Sequence, residues 1–270
     1  MAVKFENILL AIDNSSASKI ALQKTCDLAT KFNSKITALF VSSAKRIDFS
    51  TSKKFLEDFA SSKNISLEIF TKKGSLYDEI IKLEKSSKFS HILVGVQSVS
   101  GWKSMMGAGS AIKVIQNVSC PVITFKEESQ VLDLNSILLP MADSKETRQK
   151  VPYCAELAKA FGATVHIYGI SNTNKDEAKS HINSYIRQTE RYLAERGIKY
   201  TVNSIFGVNI SEELSAYAKE VNAGLILIMN ESESAGLFKD SYSRQLVNSS
   251  VVPVMSINSK DTTLVGAAGY

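Results

Sequence analysis

The sequence is poor in the residues on which stapled or metal-built proteins depend, with 3 cysteines, 3 histidines and 1 tryptophan among 270 residues. Cys26, Cys120 and Cys154 are odd in number and form no CxxC pair, which argues against a disulfide framework and against a zinc site. They read as reduced thiols in or near the core, where free cysteine behaves as a small hydrophobe. His91, His166 and His181 lie far apart and share no metal-ligand spacing with a cysteine or carboxylate, so His91 and His166 read as structural. No apolar run approaches the roughly 18 to 20 residues of a membrane span. The start, Met1 to Glu6, carries Lys4 and Glu6 instead of a secretory apolar region, and the expected location is the cytoplasm. Also missing are a Gly-x-Ser-x-Gly elbow, a Walker loop and a paired-carboxylate signature. Without them nothing positions an attacking water, so the chain is not expected to be an enzyme and is at most a slow ATPase.

What is present is ordinary for a folded chain. The apolar fraction is 44% and the charged fraction 22%, which excludes disorder, collagen and long coiled coil. The net charge of +5 is unevenly spread. Residues 1 to 130 hold 18 Lys+Arg against 12 Asp+Glu, and the remainder 14 against 15. Solvated lysines kept for solubility account for this, and an anion site in the first half is compatible with it. No nucleic acid or membrane partner is expected.

A repeat sets the architecture. Ile8-Leu9-Leu10-Ala11-Ile12 lies over Ile137-Leu138-Leu139-Pro140-Met141, and at the same offset Leu28-Ala29-Thr30-Lys31-Phe32 lies over Leu157-Ala158-Lys159-Ala160-Phe161. Ile92-Leu93-Val94 matches Ile226-Leu227-Ile228, and Cys120-Pro121-Val122-Ile123 matches Val252-Pro253-Val254-Met255. Each copy alternates short apolar runs with longer amphipathic stretches, the pattern of parallel strands joined by crossover helices. Strands are predicted near 5–12, 35–42, 65–71, 90–95 and 121–126, and again near 136–141, 163–170, 199–205, 224–229 and 252–257. The first helix is predicted to start at Ser15-Ser16, to present Ala17, Ala21, Leu28 and Phe32 inward, and to stop at Asn33, where the second copy has Gly162. The division is therefore a first domain over 1–128, a second over 134–260 and a tail over 261–270, with a polar join between the domains. Each domain is predicted to be a five-stranded parallel doubly wound sheet. In such a sheet the ligand crevice opens at the carboxyl ends of the strands, where the strand order reverses.

Both copies resemble universal stress protein domains, and the resemblance covers nearly everything from Phe5 to Asn258. Its strongest signals are Ile-Leu-Leu-Ala-Ile-Asp at residues 8–13 and the block from Val94 through Ala111-Ile112-Lys113-Val114-Ile115 into Cys120-Pro121-Val122. The resemblance implies two tandem Rossmann-like domains akin to the adenine nucleotide α-hydrolase group, with ATP or a related adenine nucleotide as a ligand of many members and Mg2+ only alongside ATP. Nucleotide-binding members carry a glycine, a second glycine two residues on, and a third after nine more, followed by Ser or Thr. Glycines let backbone approach ribose and phosphate, and the next helix N-terminus offers free N–H groups to the anion. In the first domain Gly95 takes the first place but Ser98 the second. Ala108 and Gly109 fall where the third glycine and the hydroxyl residue are expected, with Ser110 one position later. The motif is degraded, and a one-residue shift would let Gly109-Ser110 replace it. The intervening residues 96–107 contain no acidic residue and supply Lys103; an ordinary strand-to-helix loop would read the same way. The resemblance also places Asp13 and Val41 beside the adenosine. Asp13 would accept hydrogen bonds from ribose or adenine, or would cap the first helix; Val41 reads as wall. Trp102, Met105 and Met106 either pack on neighbouring structure or cover the nucleotide.

The second domain differs at each of these positions. Asp13 becomes Ala142 with Asp143 displaced by one, Gly95 becomes Met229, and Ala108-Gly109-Ser110 becomes Asp240-Ser241-Tyr242. A carboxylate at Asp240 would cap its helix and oppose phosphate, so the second domain is expected not to bind ATP in the family's manner. The last strand of each domain should lie at a sheet edge, and apolar edges invite pairing. In family dimers these strands meet, which implies an intramolecular pseudo-dimer here. A homodimer of whole chains is compatible with that arrangement, and an unidentified protein partner would read out the state of the site.

Overall fold

A computed structural model describes residues 4–13, 15–42, 48–97, 108–129, 134–230 and 242–258. The chain divides into two compact units, residues 4–130 and residues 131–270 together with 1–3.

In the N-terminal unit the elements alternate: β1 (Asn7–Ile12), α1 (Ser16–Phe32), β2 (Lys35–Ser42), α2 (Ser50–Lys63), β3 (Leu67–Lys73), α3 (Leu76–Ser86), β4 (His91–Gly95), α4 (Ala108–Asn117) and β5 (Val122–Phe125). Their strands lie in the order β3-β2-β1-β4-β5, with parallel pairing throughout. The central strands are apolar on both faces, as parallel strands sandwiched between helices must be. Ile8, Leu9, Leu10, Ile92, Leu93 and Val94 have no exposed surface. β3, at the rim, is half-buried at best and charged at Glu68, Lys72 and Lys73.

The local signals that start and stop α1 act as the sequence indicates. Ser15 is the N-cap, its hydroxyl accepting the N–H of Ser18 at 3.1 Å, and Ser16 is the first helical residue. Asn33 closes the helix in the left-handed conformation at φ 51°. Ala17, Ala21 and Leu28 are buried. Phe32 is only half-buried and stacks on Phe5 with ring centres 5.0 Å apart. His91 also stacks on Phe5, at 3.8 Å.

The C-terminal unit runs β6 (Ser136–Met141), a 3-10 helix (Lys145–Lys150), α5 (Val151–Phe161), β7 (Thr164–Ser171), α6 (Asp176–Ala194), β8 (Tyr200–Phe206), α7 (Ile210–Glu220), β9 (Leu225–Asn230), α8 (Tyr242–Ser249) and β10 (Val254–Asn258). The order β10-β9-β6-β7-β8 repeats that of the first unit. The repeat extends to single hydrogen bonds. Ile92 N–H donates to the Pro121 carbonyl and Ile226 N–H to the Pro253 carbonyl, both at 2.9 Å. Gly74 N–H donates to the Ser42 carbonyl at 3.1 Å, as Gly207 N–H does to the Ser171 carbonyl at 2.9 Å. Asn33 and Gly162 are matching left-handed caps.

Candidate nucleotide site and its degenerate copy

The crevice of the N-terminal unit lies where its strand order reverses, between β1 and β4, at the strands' carboxyl ends. The register brings three of the sequence-predicted residues together there. Ile12 pairs with Phe40, so Asp13 and Val41 follow one step beyond on adjacent strands. Ala11 pairs with Val94, which sets Gly95 beside Ile12. The next described element after β4 is α4, whose first three residues are Ala108, Gly109 and Ser110. Ser98, and with it Lys103, Trp102, Met105 and Met106, lies outside the described residues.

Asp13 is 7% exposed. One carboxylate oxygen accepts the Ser15 N–H at 2.9 Å, and its own N–H donates to the Ser18 hydroxyl at 3.1 Å. The alternative that Asp13 caps α1 is therefore corrected: Ser15 is the cap, and Asp13 braces Ser15. A carboxylate has acceptor capacity for about four hydrogen bonds, and among the described residues the Ser15 N–H takes one of them. Val41 is fully buried.

The two glycines of the site do different things. A Cβ built on Gly95 would stand 2.3 Å from the Ala17 carbonyl carbon and the Ser18 nitrogen, so the backbone of α1 rests directly on β4. Close helix-to-strand packing thus requires this glycine with no ligand present, a role that the sequence reading did not assign to it. Gly109 is exposed, and a Cβ there would meet nothing within 4 Å. Helix packing does not explain it.

In the C-terminal unit the same positions are occupied or redirected. Ala142 replaces Asp13 and keeps only the backbone bond, its N–H donating to the Thr147 hydroxyl at 3.3 Å as Asp13 does to Ser18. The Asp143 carboxylate instead faces His181 of α6, Oδ1 to Nδ1 at 3.0 Å. Met229 stands where Gly95 allows close packing and is buried. The segment laid over β9 is the 3-10 helix, not the first turn of an α-helix. Lys150, at the place of Ala21, is buried with its ammonium donating to the Thr147 carbonyl at 2.9 Å and hydroxyl at 2.7 Å. Ser243 of α8 donates to the Met229 carbonyl at 3.3 Å, and Asn230 bonds Asn258 across the ends of β9 and β10 at 2.6 Å. Sequence reasoning missed Lys150, Ser243 and the Asn230–Asn258 pair. Only the pair left a signal, two asparagines ending two apolar runs. Asp240 and Ser241 lie outside the described residues.

A parallel doubly wound domain, present twice, with a reversal-point crevice in each copy, is the class that fold and site define. The chain belongs to the universal stress protein family, whose model matches residues 4–126 and again 134–258. A universal stress protein from Archaeoglobus fulgidus DSM 4304 is 21% identical and superposes with a TM-score of 0.72 over 94% of this chain and 98% of its own. A putative universal stress protein from Pseudomonas aeruginosa UCBPP-PA14 is 16% identical, with a TM-score of 0.71 over 97% and 95%. The cytoplasmic domain of a prokaryotic cation chloride cotransporter shares the fold at 10% identity, with a TM-score of 0.59 over 97% and 99%. Among curated proteins, none matches the chain.

Proposed function

We propose that the protein is a nucleotide-responsive regulator of the universal stress protein family, holding ATP or a related adenine nucleotide in its N-terminal unit alone. The observation that carries this reading is the contrast between the two crevices. The first unit has a buried carboxylate, Asp13, at the carboxyl end of β1, and the second residue of its α4 is Gly109, where a Cβ would meet nothing within 4 Å. The second unit has Ala142 and Met229 in place of Asp13 and Gly95, with side-chain bonds tying the ends of its strands together. In this reading Asp13 accepts from ribose or adenine, Val41 walls the base, and the Gly109–Ser110 turn takes the phosphates, with Mg2+ as a companion of ATP. The role is binding that alters a surface read by a protein partner, not turnover.

One observation favours a second reading, a partner-binding scaffold without nucleotide. Gly95 is explained by the packing of α1, and Asp13 already holds Ser15. Denaturing freshly purified protein and analysing the released small molecules by mass spectrometry separates the two. An adenine nucleotide in the released fraction is the result expected. No nucleotide released, together with no binding at millimolar ATP, would leave the scaffold. A rate of phosphate release above the no-protein control would restore the ATPase alternative.

A further inference from the structure

We propose that the protein self-associates through the free edge of β8, two chains adding their β8 strands antiparallel about a two-fold axis. Among the described residues β8 is bonded on one side only, to β7, through an unbroken seven-residue register from Val165–Tyr200 to Ser171–Phe206. Its other side has no strand partner among the described residues and offers backbone donors and acceptors as a template for a further strand; of these, the Ser204 N–H is held by the Asn203 side-chain oxygen at 2.8 Å, a local bond that an incoming strand replaces. Tyr200-Thr201-Val202-Asn203-Ser204-Ile205-Phe206 contains no charge and no proline and is rich in strand-forming residues. Thr201, Val202, Asn203 and Ser204 are exposed in succession, with Val202 at 43%. The corresponding rim strand, β3, is protected by Glu68, Lys72 and Lys73, with Glu68 held by Lys35 at 2.6 Å.

A second copy fits this edge better than an unrelated strand does, for reasons of charge. In a two-fold pairing, residues near the axis face their own copies, so a charge there would meet a like charge. β8 has none. The nearest charge on each side of the strand is of opposite sign, exposed Lys199 directly before Tyr200 and exposed Glu212, six residues past Phe206 in the first turn of α7. Antiparallel pairing brings the Lys199 end of each chain to the Glu212 end of the other.

The test is sedimentation of the full chain across micromolar concentrations, beside V202K/S204K and a β3 control, K72E. The expected result is a wild-type dimer, weakened about a hundredfold by two lysines beside the axis and unchanged by K72E. A second measurement is independent of the lysines. Single cysteines at Val202, Asn203 or Ser204 should form an interchain disulfide under mild oxidation, while one at Glu68 should not. A wild-type monomer throughout the range, or a dimer that persists in V202K/S204K and leaves the β8 cysteines uncrosslinked, overturns the proposal. None of these outcomes depends on nucleotide.

Discussion

Single residues carry much of the account, and Gly95 and Gly109 separate packing from ligand chemistry. Gly95→Ala drives a methyl group into the backbone of α1 and should destabilise the protein by about 2–3 kcal/mol, seen as a lower denaturant midpoint. Gly109→Ala fills open space on a helix and should be neutral or stabilising by up to about 1 kcal/mol. If both cost the same, the distinction drawn between them fails. His91 supplies a pH signature. Burial lowers its pKa to about 3, so the native imidazole stays neutral where the unfolded one, titrating near 6.5, takes up a proton. Its contribution is therefore fully present above about pH 6.5 and is lost as pH falls toward 3, by at most about 1.4 kcal/mol per pH unit. His91→Leu, which installs the residue found at the matching Leu225, should flatten that slope; an unchanged slope would assign it to other groups. Burial also raises the thiols of Cys26 and Cys154 to about 12, so both should resist alkylation until the protein unfolds.

At the scale of elements, most of the architecture was legible because each strand is a buried apolar run closed by a turn signal. β2 and β6 fall where the apolar runs place them, at Lys35–Ser42 and Ser136–Met141. β3 was expected to begin two residues before Leu67, because Ile65 continues its apolar pattern although it belongs to the preceding turn. The helix stop at Asn33 followed from its tolerance of the left-handed cap. Periodicity did not reveal the 3-10 turn at Lys145–Lys150, whose signal in the sequence is Pro152 at the start of α5: it has no N–H for the Arg148 carbonyl and cannot continue an α-helix back through that segment. Site legibility divides the same way. Asp13 stood out as a carboxylate at a strand end and its bond to Ser15 is local, two residues on, whereas the packing role of Gly95 depends on a contact between α1 and β4. The capping difference between the copies is measurable. Ser15→Ala should cost about 1 kcal/mol, while Ser144→Ala should cost less, since the Ser144 hydroxyl bonds the half-buried Glu146 carboxylate and no backbone N–H. Equal losses would contradict the contrast drawn between the two helix starts.

At the scale of the whole molecule, a duplicated fold has kept its framework and let its two crevices diverge. The backbone bonds at the strand ends are preserved, Asp13 to Ser18 and Ala142 to Thr147, so the difference lies in side chains and not in topology. That asymmetry is the core of the functional proposal, and calorimetric titration of the full chain with ATP and Mg2+, run in parallel with Gly109→Asp, tests it most directly. An aspartate in the first turn of α4 favours the helix dipole, so lost binding would not reflect an unfolded protein. Opposing a phosphate at about 4 Å costs roughly 1–4 kcal/mol per charge pair. The account predicts one ATP per wild-type chain and at least a tenfold weaker site in Gly109→Asp, with Asp240→Gly leaving the stoichiometry at one. No heat at millimolar ATP, or a site that survives Gly109→Asp at full affinity, would contradict it.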